Sequence, residues 1–114
     1  MSREFVDTRR HPRYKMEVSI RIYPRNAAVV RGHSVEISVS GMSVMIRAHI
    51  AIGEVVRLEF ESKYGVVEVH AVSRHREAFR LGFQFIEDSK AQEIINRTCR
   101  SLAIEEATRP TSAG

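Results

Sequence analysis

Met16, Val18, Ile20 and Ile22 alternate with Glu17, Ser19, Arg21 and Tyr23, the period-two pattern of a strand that buries one face. Pro24-Arg25-Asn26 ends this run. Val29 to Ile37 predicts a second strand in which Gly32 marks a bulge or a close contact. The turn Ser38–Gly41 then leads into a third strand carrying Met42, Val44 and Ile46. Ala51-Ile52-Gly53 reads as a connecting loop, Val56, Leu58 and Phe60 as a fourth strand, and Lys63-Tyr64-Gly65 as a turn into Val67, Val69 and Ala71. A last strand is expected to bury Phe79, Leu81, Phe83 and Phe85. From Ser89 the period changes: Ser89 and Gln92 fit a capping box, and Ile95, Cys99, Leu102 and Ala103 share one helical face. Short strands without intervening helices predict a mainly β, antiparallel barrel that closes on itself, with a C-terminal α-helix packed over it. The alternation alone fits a small open sheet equally well.

Length and composition limit what this pattern can build. At 114 residues and 43% hydrophobic content, the chain suits one modest core. The expected organisation is a flexible segment over residues 1–8, a folded unit over 9–107 and a disordered tail over 108–114, where Pro110 stands among residues without apolar anchors. Cys99 is the only cysteine, so an intrachain disulfide and a Cys-rich metal site are excluded and a reducing cytoplasm is expected. Met1 to Asp7 has no apolar core of a signal peptide, and no stretch approaches the roughly 20 apolar residues of a transmembrane segment. The formal charge is +4, and its placement is informative. Residues 1–25 hold seven Lys/Arg against three Asp/Glu, whereas the remainder holds eleven of each. A basic N-terminal segment draws a polyanion, but an evenly basic surface of the kind used for unspecific nucleic-acid binding is missing.

Within that basic segment, Arg9-Arg10-His11-Pro12-Arg13 is followed about two dozen residues later by Glu36-Ile37-Ser38-Val39-Ser40-Gly41. Arginine carries a permanent charge on a planar fork of donors, so Arg9 and Arg13 can clamp phosphate oxygens, reach the O6/N7 edge of guanine or stack on a purine. Pro12 fixes its own φ and pushes His11 toward extended geometry, which puts the arginines on a loop that enters a strand. Ser38 brings a hydroxyl, and Gly41 permits either a positive φ or a close backbone approach. Taken alone, each half has a bland reading, a solvated basic lead-in and an ordinary hairpin turn.

In this order and spacing the pair resembles the RxxxR and [D/N]xSxxG signature of the PilZ domain family of bacterial cyclic di-GMP receptors. The resemblance runs from about Thr8 to Phe85, with Ala71-Val72-Ser73-Arg74 and Leu81-Gly82-Phe83-Gln84-Phe85 similar to the family's closing strands. Arg9, Arg13, Ser38 and Gly41 match signature positions, while Glu36 stands where the family has Asp or Asn and keeps the carboxylate on one more methylene. The resemblance implies a six-stranded antiparallel β-barrel with a C-terminal α-helix. It further implies a ligand, cyclic di-GMP, held by Arg9 and Arg13 on phosphates and guanine edges, by Glu36 accepting from guanine N–H groups and by Ser38, with Gly41 shaping the turn and Arg10 as an accessory contact.

Other candidate chemistry is thin. His11, His33, His49, His70 and His75 lie on separate elements without HxxxH or HExxH spacing, so no metal site is expected. His70 and His75 read as solvent-facing strand residues, and His11, between the arginines, as a possible stacking partner for a base. No nucleophile–base motif, glycine-rich phosphate loop or carboxylate–histidine cluster is present, and Cys99 falls on the apolar helix face. Arg74, Arg76 and Arg80, opposed by Glu68 and Glu77, read as a mixed solvated surface or as the border of the ligand site. Arg97 and Arg100, with Glu93, read as the helix's outer face or as a docking surface. The expectation is a receptor and not an enzyme: no cofactor, cyclic di-GMP as ligand, and an effector protein that senses the changed surface. The rival is a divergent PilZ-like interaction module that does not bind the nucleotide. A small-barrel nucleic-acid binder ranks lower, since the chain has no tryptophan and only 7% aromatics.

Overall fold

The alternating runs fold into seven strands: β1 Tyr14–Lys15, β2 Ser19–Tyr23, β3 Val30–Ile37, β4 Gly41–Met45, β5 Val55–Ser62, β6 Gly65–Glu77 and β7 Arg80–Phe85. One helix follows, α1 Ser89–Thr108. The computed structural model describes residues 11–86 and 88–108. Every strand pairing is antiparallel, in the order β1-β3-β2-β5-β6-β7-β4, and pairing of β3 with β4 closes the ring. Six strands, β2 to β7, thus form a closed barrel without free edges. The inward positions read from the sequence form its core: Ile20, Ile22, Val44, Leu58, Val67 and Leu81 are at most 1% exposed. From α1, Ile95 and Cys99 are buried in the same core, and the helix packs on β6 and β1.

Two local expectations give way to the packing and one, at Gly32, holds. The first run is a strand only over Ser19–Tyr23, set off from the short β1 ahead of it, because Ser34 inserts its hydroxyl between Met16 and Val18. Its Oγ accepts from Val18 N at 2.9 Å and donates to the Met16 carbonyl. The close contact expected at Gly32 is present, a Cβ there meeting the Met45 carbonyl at 2.6 Å, while the bulge of β3 falls between Ser34 and Glu36. Phe79 is not in the core: it is 58% exposed. Glu77 pairs directly with Arg80, so Ala78 and Phe79 form the two-residue turn of the β6–β7 hairpin, and inward alternation starts only at Leu81.

The helix begins differently as well. Asp88, not Ser89, is the cap: its Oδ1 accepts from Ala91 N at 3.0 Å. Gln92 is thereby released from a capping box, and its Nε2 donates to the Val39 carbonyl at 2.8 Å and to Asn96 Oδ1 at 2.9 Å. The first of these bonds ties the helix to the β3–β4 turn. Among the described residues no helix is long and apolar enough to cross a membrane.

Candidate functional site

The β3–β4 turn is built by its own serine. Ser38 N donates to the Gly41 carbonyl at 2.8 Å, and Ser38 Oγ accepts from Ser40 N and Gly41 N, each at 3.2 Å. Phe85 N in turn donates to the Ser40 carbonyl at 2.8 Å, which fastens the turn to β7. Gly41 does not supply a positive φ; the glycines that do are Gly53 and Gly65. Its requirement is proximity, because a Cβ at Gly41 would collide with the Phe83 carbonyl oxygen across the β4–β7 seam.

Outside the barrel wall, next to this turn, lies a cavity of about 460 Å³, within the range typical of small-molecule sites. Arg13 and Glu36 to Ser38 bound it on one side and Arg74, His75, Glu77 and Arg80 on the other, with Ser43, Gly82 and Gln84 between them. Two bulges edge this wall, one in β3 between Ser34 and Glu36 and one in β6 between Ser73 and His75. A bulge adds one residue on one strand and re-aims the side chains beside it. After the β6 bulge both Arg74 and His75 are exposed, where strict alternation would bury one of them.

Positive charge dominates the lining, with Arg13, Arg74 and Arg80 against Glu36 and Glu77. Glu36 Oε1 lies 3.1 Å from Arg80 Nη2, and the same nitrogen donates to Ser43 Oγ at 3.3 Å. Arg74 Nε donates to Gln84 Oε1 at 2.9 Å. Such an arrangement offers oriented guanidinium donors to an anion with planar acceptor edges. Among the described residues no group of three or more His, Cys, Asp or Glu is placed to hold a metal ion.

Of the residues singled out from the sequence, Arg13, Glu36, Ser38 and Gly41 meet around this one cavity. Arg9 and Arg10 lie outside the described residues. His11 does not line the cavity, and its Nδ1 is buried without a hydrogen-bond partner among the described residues. His70 and His75 are both exposed on β6, as expected of strand residues that face solvent. Arg74 and Arg80 take the border position that was one of their two readings; Ser43, His75, Gly82 and Gln84 were not anticipated as lining. The outward phase of β4, β6 and β7 was visible in the sequence, but the register that sets these residues beside Glu36 was not.

The closed six-stranded barrel thus carries on its outer wall a cavity lined by Arg13, Arg74 and Arg80. The family model described as PilZ domain matches residues 7–101, and the chain belongs to the PilZ domain family. Among solved structures it is similar to the PilZ domain with c-di-GMP of YcgR from Escherichia coli, at 17% identity and TM-score 0.70, covering 89% of this chain and 98% of that one. The structure of the inhibitor of motility MotI/DgrA from Bacillus subtilis matches at 18% identity and TM-score 0.70, over 96% of this chain and 55% of that one. The MrkH–c-di-GMP complex from K. pneumonia matches at 14% identity and TM-score 0.75, over 96% of this chain and 56% of that one. The chain therefore spans about half the length of MotI/DgrA and MrkH. The comparison with curated proteins found no match.

Proposed function

We propose that the chain is a receptor for cyclic di-GMP, bound on the outer wall of the barrel over β3, β4 and β7. The observation that carries this reading is the convergence of Arg13 from the first motif with Glu36, Ser38 and Gly41 from the second around one arginine-lined cavity. Two of the similar structures, the PilZ domain of YcgR and MrkH, are complexes with c-di-GMP. Arg13, together with Arg9 and Arg10 just upstream, supplies charge for the ligand's two phosphates and fork-shaped donors for guanine O6 and N7. Ser38 and Gly41 act through the turn they build: one hydroxyl fixes its shape and one missing Cβ lets it sit against β7.

The output in this proposal is a changed surface read by an effector protein in the cytoplasm, with no reaction catalysed. Gln92 Nε2 joins α1 to the Val39 carbonyl within the turn. Pro12 and Tyr14, next to Arg13, share a cleft with Asn96, Cys99 and Arg100 of the helix. A ligand that draws Arg13 toward the turn therefore pulls on both edges of the seam that an effector would see. Calorimetric titration with cyclic di-GMP and with GMP tests the reading. Binding of the cyclic dinucleotide at least about tenfold tighter than GMP is expected, since only it presents two phosphates and two guanines together. A folded protein that binds neither would leave the divergent interaction module as the better description.

A further inference from the structure

The strand register places Glu36 opposite Ser43, and Ser43 opposite Gly82. Arg80 stands two residues before Gly82 and shares its face. Glu36 therefore reaches Arg80 diagonally across the whole width of β4, two strand spacings over and two residues along, a span of about 12 Å. Two long side chains close that distance to 3.1 Å. An aspartate would fall short by about one C–C bond, roughly 1.5 Å.

We propose, on the reading of the chain as a cyclic di-GMP receptor, that Arg80 is a ligand-gripping residue of this site and that Glu36 and Ser43 are its positioning residues. Among the described residues both partners of the Arg80 side chain fall on the same nitrogen, Nη2. The guanidinium is planar, so holding Nη2 restricts the whole fork and leaves Nε and Nη1 without a partner among the described residues, on a side chain that lines the cavity. Across the open floor at Gly82, Arg74 is held in a similar way by Gln84. The acceptor suited to a pre-oriented fork is a phosphate or the O6/N7 edge of guanine, and cyclic di-GMP carries both. Glu36 then works through Arg80, in contrast to the direct guanine contact that the family signature implies for this position.

A double-mutant cycle tests the assignment, with cyclic di-GMP titrated calorimetrically at one ionic strength into wild type, Arg80→Ala, Arg80→Lys, Glu36→Ala and Arg80→Ala/Glu36→Ala. Thermal melts confirm that each variant is folded. Arg80→Ala weakens binding at least about tenfold, and Arg80→Lys, which keeps the charge and loses the fork, recovers little of it. Glu36→Ala weakens wild type several-fold yet changes the Arg80→Ala protein less than about twofold, because a residue that acts through Arg80 has no effect in its absence. Wild-type affinity in Arg80→Ala overturns the role of Arg80. Additive losses, or tighter binding by Glu36→Ala, overturn positioning by Glu36, the first by showing an independent contact and the second by showing competition with the ligand. Absence of any binding by wild type removes the receptor reading itself, and the proposal with it.

Discussion

A single methyl group separates two glycines of the site in their expected behaviour. At Gly41 a Cβ would collide with the Phe83 carbonyl oxygen on the seam that closes the barrel, whereas at Gly82 the nearest atom, the His75 carbonyl oxygen, is 3.6 Å away, an ordinary contact. Gly41→Ala should therefore destabilise the fold by about 1–3 kcal/mol, the usual consequence of overpacking. Gly82→Ala should unfold at nearly the wild-type denaturant midpoint and weaken ligand binding by putting a methyl on the cavity floor. Urea titration followed by circular dichroism distinguishes them, and equal midpoints would mean that the barrel seam yields at Gly41. Cys99 supplies a second test at this scale. Burial pushes its thiol up from 9.0 to about 11, so at pH 8 the folded protein should react with a thiol reagent on the order of a hundredfold more slowly than the unfolded chain. The linkage has a definite sign. A group that holds its proton more tightly when folded contributes fully below its unfolded pKa, so stability from Cys99 is lost as pH rises from about 9 toward about 11. Fast labelling at pH 8 without denaturant would show that α1 opens readily from the barrel.

The elements were legible where one physical signal dominated. Alternation identified the inward residues of β2, β4, β5 and β7, since a strand against a core must bury every second side chain. It failed at Phe79, because apolar character says nothing about the two-residue turn that puts Ala78 at φ 56° and turns Phe79 out to solvent. The helix start was misplaced by one residue for a similar reason: Asp88 and Ser89 are both good caps, and local sequence does not decide between adjacent ones. Packing decided it by engaging Gln92 with Val39. Asp88→Ala should accordingly cost about 1 kcal/mol of stability and Ser89→Ala a few tenths at most. Thermal denaturation of the two variants checks this, and the reverse order would restore the capping box. The break between β1 and β2 was invisible in the sequence, because its cause, the Ser34 hydroxyl bonded to both Met16 and Val18, lies on the partner strand.

At the scale of the molecule, half of the site was written in local motifs and half was not. Arg13, Glu36, Ser38 and Gly41 stood out through the resemblance to the PilZ signature, and barrel closure brings them together. Arg74, His75, Arg80 and Gln84 reach the same cavity through the pairing of β6, β7 and β4 and through two bulges, which a single sequence does not encode in any short pattern. The opposite wall offers a natural control: Tyr23 donates to Glu59 at 2.9 Å and Arg57 sits 4.0 Å over the Tyr23 ring, a charged aromatic cluster remote from the two motifs. Backbone amide chemical shifts followed during titration with cyclic di-GMP test directly whether the arginine-lined cavity is the ligand site. The largest changes are expected at Arg13, Ser38 to Ser43, Arg74 and His75, and Arg80 to Gln84. Shifts centred on Tyr23, Arg57 and Glu59, or a spectrum unchanged at saturating ligand, would contradict it.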